Sequence, residues 1–81
     1  MQVTVRLFAA LAEAAGQRSL SLDVESGADA GAVKRMMIER FPGAVGLCKR
    51  SAIAVNAEYA DEDRPLADGD EVALIPPVSG G

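Results

Sequence analysis

The feature that most restricts the fold is an alternating apolar segment that runs directly into two adjacent prolines near the C-terminus. In the segment from Glu71 to Ile75, the large apolar residues Val72 and Leu74 alternate with Glu71 and Ala73, which is typical of a strand with one buried face. Pro76 and Pro77 have no backbone N–H and a fixed φ, so they cannot continue the interior of a sheet. The chain therefore has to leave the sheet at this point. We predict a folded domain over residues 1–75 and an extended tail over residues 76–81.

The tail has the properties of a segment that is inserted into another protein. The six residues from Pro76 to Gly81 span at most about 20 Å when extended. The prolines lower the entropy that is lost when the tail becomes ordered, and the terminal glycines lack Cβ and fit narrow channels. The carboxylate of Gly81 is therefore the candidate reactive group. A frayed end is the alternative for a diglycine taken alone, but a rigid root directly after a core strand favours the reactive tail.

The N-terminal half predicts two strands and two helices. Gln2 to Phe8 and Arg18 to Val24 alternate as strands do. Ala9 to Ala15 favours a short helix that Gly16 closes. Asp29 is a candidate N-cap of a longer amphipathic helix through Phe41. On this helix, Val33, Met36, Met37 and Phe41 recur at helical spacing, whereas Lys34, Arg35, Glu39 and Arg40 occupy other faces.

The C-terminal half predicts a hairpin before the last strand. Ala44 to Arg50 is interpreted as a surface connection that can include a short turn of helix. Ala52 to Val55 predicts a strand, and Asn56 to Glu58 supplies a turn before Tyr59. Leu66 is expected to reach the core, and Asp68 to Asp70 predicts a second turn. Together these elements predict an α+β fold with a small sheet packed on one main helix.

The parity of the strands divides their side chains between two faces. If Val3, Val5, Leu7, Val72 and Leu74 face the helix, then Phe8, Ala73 and Ile75 lie on the opposite face of the sheet. Tyr59 is a candidate to join them. Apolar residues on this face, beside the root of the tail, predict a docking surface. Scattered surface apolar residues are the alternative interpretation.

Composition excludes several classes of function. The net charge of −4 argues against nucleic acid and anionic membranes and favours a partner with a basic surface. The chain has no histidine, which removes His-dependent nucleophilic catalysis and His-ligated metal sites. The single cysteine, Cys48, suits a reducing compartment, and no apolar run reaches the roughly 20 residues of a membrane span. We expect a cytoplasmic protein.

Two other candidate sites have simpler explanations. Cys48 is a possible persulfide carrier or nucleophile, but a buried, unreactive thiol is favoured because no histidine is available to activate it. Six acidic residues lie between positions 61 and 71, and their spacing does not match an EF-hand loop. A solvated acidic rim is therefore favoured over a cation site, and we expect no metal. These residues are Asp61, Glu62, Asp63, Asp68, Asp70 and Glu71.

The sequence resembles the small subunit of molybdopterin synthase (MoaD type). The resemblance lies in the opening Val-x-Val-x-Leu-Phe-Ala at residues 3–9, in Val55-Asn56, and above all in the segment from Asp68 to Gly81 with its Pro-Pro-Val-Ser-Gly-Gly ending. It implies a ubiquitin-like β-grasp fold. It also implies a sulfur carrier in molybdenum cofactor biosynthesis, with its catalytic residues in a partner and a heterotetrameric synthase as the assembly.

The resemblance further implies which residues act and which partners they meet. A ubiquitin-activating-like adenylyltransferase consumes ATP to adenylate Gly81, which then carries a thiocarboxylate (1-thioglycine) that donates sulfur to precursor Z. The large synthase subunit receives Pro76, Pro77, Val78, Ser79 and Gly80, and Phe8, Tyr59 and Ile75 match positions on the partner-facing surface. The alternatives are a related carrier for thiazole, cysteine or tRNA thiolation, and a non-catalytic β-grasp interaction domain.

Overall fold

The computed structural model describes residues 1–77, which form five strands and three α-helices. In chain order the elements are β1 (Gln2–Leu7), α1 (Ala9–Ala15), β2 (Ser19–Asp23), α2 (Ala30–Arg40), a 3₁₀ turn (Pro42–Ala44), α3 (Val45–Arg50), β3 (Ala52–Val55), β4 (Glu58–Ala60) and β5 (Glu71–Ile75). No helix within residues 1–77 is both long and apolar enough to cross a bilayer.

The five strands form one mixed sheet in the order β2-β1-β5-β3-β4. β1 and β5 lie side by side and parallel, with Val5 beside Val72 and Leu7 beside Leu74. The other neighbouring pairs are antiparallel. The first and last strands at the centre of a sheet that packs on one main helix define the ubiquitin-like β-grasp fold, so the predicted fold is confirmed. Because β5 is paired on both sides, the root of the tail is held at the middle of the sheet.

The core lies between the sheet and α2, as strand parity predicted. Val3, Val5 and Leu7 are at most 3% exposed, and Val72 and Leu74 are fully buried. From the helix, Val33 and Met37 are also fully buried. Complete burial of one such side chain stabilises a fold by about 1.5–3 kcal/mol. The alternating positions of β1 and β5 are therefore a main source of stability.

The ends of the first two helices follow their predicted signals. Gly16 adopts φ 73, in the left-handed region, and its N–H donates to the Ala12 carbonyl at 2.9 Å. Asp29 precedes α2, and its Oδ1 accepts a hydrogen bond from the Ala32 N–H at 2.9 Å. The helix ends at Arg40, and Phe41 is the C-cap residue.

The segment from Ala44 to Arg50 is more ordered than the sequence predicted. It lies in the 3₁₀ turn and in α3, with Ala44 3% exposed and Cys48 fully buried. The short turn of helix is therefore present, and Val45, Lys49 and Arg50 are exposed as expected, but the segment also contributes two buried residues to the core. Six residues are too few to show helical periodicity, and the helix forms because its buried positions pack into the core.

Lys34 is the second departure from the predicted pattern. It was placed on a face of α2 away from the core, yet the residue is only 7% exposed. Its Nζ donates to the carbonyls of Lys49 at 3.0 Å and Ser51 at 2.9 Å. These carbonyls lie at the C-terminal end of α3, where a positive charge is favourable. The ammonium group thus ties α2 to the segment that leads into β3.

The hairpin between β3 and β4 is confirmed, and its turn is attached to the start of β5. Asn56 and Ala57 both have positive φ, 50 and 71 respectively, as a tight hairpin turn requires. The Asn56 side chain donates to Asp70 at 3.0 Å and accepts from the Glu71 N–H at 3.0 Å. Asp70 also accepts from the Ala67 N–H at 2.8 Å. These hydrogen bonds lower the pKa of the Asp70 carboxyl and fix the start of the strand that carries the tail.

Candidate functional site

The root of the tail lies at one end of the central strand β5. Ile75, the last residue of that strand, pairs with Ala52 of β3 and is half-buried. Pro76 follows and is buried, whereas Pro77 is exposed. The domain boundary after Ile75 stays a prediction, but the last buried residue of the described chain is Pro76, one position later. The predicted tail residues Val78, Ser79, Gly80 and Gly81 lie outside the described residues.

The strand register defines the face of the sheet that α2 does not cover. Residues directly opposite each other on neighbouring strands point to the same face. Arg6 pairs with Ala73, Ala73 with Ala54, and Ala54 with Tyr59. A row of side chains therefore crosses four strands on the helix-free face. We call this face, with Phe8 and Ile75 at its tail-bearing end, the docking face.

Phe8 lies at the end of β1 next to the tail root. It is 40% exposed and is the N-cap residue of α1, with no side-chain hydrogen bond to the helix. The Arg6 guanidinium lies 5.8 Å from the centroid of its ring, within the range of a cation–π interaction. Ala9, the next residue, has φ 49, a left-handed conformation that is costly for a residue with a Cβ. Strain of this kind is common beside functional residues.

Arg6 also joins β1 to β5 across the docking face. Its guanidinium is 3.6 Å from Glu71, and both side chains are about half exposed, at 49% and 48%. An exposed ion pair of this kind contributes little to stability. It does orient Arg6 between Phe8 and the start of β5.

Tyr59 lies on the same face but further from the tail. It is 77% exposed, on the edge strand β4. The structure therefore brings Phe8 and Ile75 to the end of the sheet from which the tail leaves, and it places Tyr59 two strands away from β5. Their assignment as partner-binding residues stays a prediction.

A cleft of about 420 Å³ opens beside Phe8, between the end of β1 and α1. Its lining includes Arg6, Phe8, Ala12, Glu13 and Arg18; we call it the arginine cleft. Sequence reasoning did not select Arg18. The turn after α1 could have indicated its position, because this turn brings Arg18 opposite the end of β1. The Arg18 carbonyl accepts a hydrogen bond from the Leu7 N–H at 2.8 Å.

A groove larger than the arginine cleft lies elsewhere in the described chain. It measures about 610 Å³ and runs between the β2–α2 connection and the outer face of α2, past Ser26 and Met36. None of the predicted site residues lines it. Groove size alone therefore does not locate the candidate site in this fold.

Cys48 is not placed to act as a nucleophile. Its side chain is fully buried, and burial raises the pKa of the thiol, more than the nearby Lys34 ammonium lowers it. The thiol is therefore protonated at neutral pH and shielded from reagents. Within residues 1–77 there is also no group of three or more His, Cys, Asp or Glu side chains arranged to hold a metal ion.

Solved structures with the same fold cover the chain from end to end. Small archaeal modifier protein 1 from Haloferax volcanii superposes with a TM-score of 0.88 at 32% identity, over 100% of both chains. One subunit of the complex of subunits 1 and 2 of the molybdopterin-converting factor from Helicobacter pylori superposes with a TM-score of 0.72 at 29% identity, again over 100% of both chains.

Sequence comparison gives the family. The chain is 36% identical to the molybdopterin synthase sulfur carrier subunit of Chlamydomonas reinhardtii over 83 aligned positions, which cover 100% of both proteins. This relative confirms the resemblance seen in the residues at both ends of the sequence. Residues 5–81 match the profile of the ThiS family. On both grounds, the chain belongs to the ThiS family.

Proposed function

We propose that this protein is the sulfur-carrier subunit of molybdopterin synthase and that Gly81 is its reactive residue. The observation that supports this most strongly is the position of β5. The strand is paired on both sides, its Val72 and Leu74 are fully buried, and it passes directly into Pro76 and Pro77. The full-length similarity to a sulfur carrier subunit supports sulfur as the group that the tail carries.

In the proposed cycle, the carboxylate is first activated and then receives sulfur. A carboxylate oxygen of Gly81 attacks the α-phosphate of ATP in an adenylyltransferase, pyrophosphate leaves, and an acyl adenylate forms. A sulfur nucleophile at the oxidation level of sulfide then attacks the carbonyl carbon, and AMP leaves with the C–O bond electrons. The product is a C-terminal thiocarboxylate. The thiocarboxylate sulfur would attack a carbon of precursor Z in the active site of the large subunit and displace an oxygen substituent. Water would then hydrolyse the resulting thioester, so that the sulfur stays on the precursor and Gly81 returns to a carboxylate.

The residues of the chain indicate which catalytic groups the carrier has and which ones its partners would supply. It has no histidine, and its thiol is buried with a raised pKa. General acid and base groups would therefore be supplied by the adenylyltransferase and the large subunit. The carrier contributes a terminal glycine, which is sterically open to attack, and the docking face. Phe8, Tyr59 and Ile75 on this face would contact the partner, while Pro76 to Gly80 enter its channel.

A direct test is intact-mass spectrometry of the purified protein after incubation with an adenylyltransferase of this class, ATP and a sulfide source. We expect the mass increase of one oxygen-to-sulfur exchange, located on Gly81 by fragmentation. A protein that binds both partners but never gains this mass would be an interaction domain and not a carrier. Binding to the large synthase subunit in preference to a thiazole synthase separates the molybdopterin pathway from related sulfur carriers.

A second candidate function is the modification of other proteins. The TM-score of 0.88 with a protein named as a modifier supports it. In chemical terms, the same acyl adenylate can be attacked by an amine instead of by sulfur, which gives an amide. The measurement is a search for adducts that survive denaturing electrophoresis and contain an amide bond between the Gly81 carboxyl group and a lysine side chain of another protein. If such adducts are absent while the thiocarboxylate forms, sulfur transfer is the function of this chain.

A further inference from the structure

The arginine cleft lies where a partner that accepts the tail would make contact. Phe8 forms one wall, and Phe8 follows Leu7, which is paired with Leu74 of the tail-bearing strand. The cleft is therefore continuous with the docking face and opens at the same end of the sheet as Ile75 and Pro76. A protein that encloses the tail would cover it.

The lining of the arginine cleft holds more guanidinium groups than carboxylates. The chain carries a net charge of −4, whereas the cleft combines two guanidinium groups, Arg6 and Arg18, with one carboxylate, Glu13. Glu71, outside the lining, lies 3.6 Å from Arg6 and offsets its charge, so Arg18 is the guanidinium of the cleft that has no ion-pair partner within residues 1–77. An acidic group would complement Arg18, whereas the basic partner surface expected from the net charge stays a prediction for the rest of the molecule.

The two arginines differ in how they are engaged. Arg6 lies 3.6 Å from Glu71 and 5.8 Å from the Phe8 ring centroid. Arg18 is exposed, and within residues 1–77 its side chain has no carboxylate within 4.0 Å. Glu13 shares the cleft without forming an ion pair with either arginine. Arg18 can therefore pair with an incoming carboxylate, because two parallel N–H donors of a guanidinium match the two carboxylate oxygens.

We propose that the arginine cleft receives an acidic side chain, aspartate or glutamate, of the large subunit that accepts the tail. This inference rests on the proposed function, because it takes the large subunit as the partner. Arg18 supplies the direct contact with the carboxylate. Arg6 exchanges part of its interaction with Glu71 for the incoming group, and Phe8 covers the pair from water. This contact fixes how the carrier is rotated about the axis of its tail. The tail then enters the channel of the large subunit in a single orientation.

Zero-length crosslinking tests whether the side chain at position 18 touches a carboxylate of the large subunit. A carbodiimide joins an amine to a carboxylate only when the two touch, and arginine does not react. The variant Arg18→Lys places a reactive amine in the cleft. The background is low, because the chain has only two lysines, Lys34 and Lys49, and Lys34 is 7% exposed. The matched control is Arg40→Lys, since Arg40 is an exposed arginine at the end of α2, outside the lining of the cleft.

We expect the complex of Arg18→Lys with the large subunit to give a crosslink from residue 18 to an aspartate or glutamate of that subunit. We also expect Arg18→Gln to weaken binding about tenfold and to reduce the salt dependence of binding, with Arg40→Gln close to the wild type. Crosslinking of Arg18→Lys no greater than that of Arg40→Lys would overturn the proposal. If the wild-type protein does not bind the large subunit at all, the proposed function itself is wrong.

Discussion

Replacing Lys34 with methionine tests how far one buried ammonium group stabilises this domain. Methionine has a similar length and fits an apolar site, but it cannot donate hydrogen bonds. The substitution leaves the Lys49 and Ser51 carbonyls without the donor that now lies at 3.0 and 2.9 Å. Each buried acceptor that loses its partner costs about 1–3 kcal/mol. Part of this loss is offset because the ammonium no longer has to be removed from water.

We therefore expect Lys34→Met to lower the free energy of unfolding by about 2–4 kcal/mol. This is a large share of the 5–15 kcal/mol of an ordinary domain, and it corresponds to a fall in Tm of about 10–20 °C for a chain of this size. The assay is urea unfolding followed by far-UV circular dichroism, since the chain has no tryptophan. Lys49→Met is the control, because Lys49 is exposed, and a surface change of this kind alters stability by about 0.5 kcal/mol or less.

If Lys34→Met and Lys49→Met unfold at the same urea concentration, the two hydrogen bonds contribute nothing and the reasoning is refuted. A loss of stability larger than expected would point to the pairing of Ala52 with Ile75. That pair follows Ser51 directly, so it would become weaker together with the start of β3.

Three further predictions follow from local features. Ala57→Gly should raise the free energy of unfolding by about 1 kcal/mol, because φ 71 is unfavourable for alanine; thermal unfolding would show a higher Tm, and an unchanged or lower Tm would contradict this. The pKa of Asp70 is lowered in the folded state, so its contribution to stability is complete above about pH 3.9 and is lost as the pH falls through the lower folded value. Asp70→Asn should reduce the fall in the free energy of unfolding between neutral and acidic pH, measured by urea titration at several pH values. The same pH dependence in both proteins would contradict a lowered pKa of Asp70. Phe8→Asp should weaken binding to the large subunit at least tenfold, about 1.4 kcal/mol, with a small change in Tm because aspartate is a good N-cap; calorimetry that shows unchanged affinity would remove Phe8 from the docking face.

Much of the fold could be predicted because its signals are local. The alternation in β1 and β5 fixed which residues are buried, and Asp29 and Gly16 marked helix ends through their own hydrogen bonds and φ. Likewise, the two prolines after Ile75 correctly predicted where the last strand stops. In each case the physical cause lies within a few residues of the signal.

The remaining features depend on partners that are distant in sequence. Lys34 is buried only because the carbonyls of Lys49 and Ser51 lie where its side chain can reach them, 15 and 17 residues away. The burial of Cys48 depends on packing against the core and not on any periodicity in its own short helix. Arg18 joins the candidate site through the pairing of the first two strands. Charge and spacing in the sequence do not encode these contacts.

In the proposed function, Gly81 carries the sulfur and the folded residues 1–77 support the tail without taking part in the chemistry. The most direct test compares the wild-type protein with a variant that lacks Gly81, each incubated with adenylyltransferase, ATP and sulfide and then analysed by intact mass and thermal unfolding. We predict one oxygen-to-sulfur exchange on Gly81 of the wild type, none on the shortened chain, and the same Tm for both. Sulfur incorporation into the shortened chain, or at a residue other than Gly81 in the wild type, would contradict the claim.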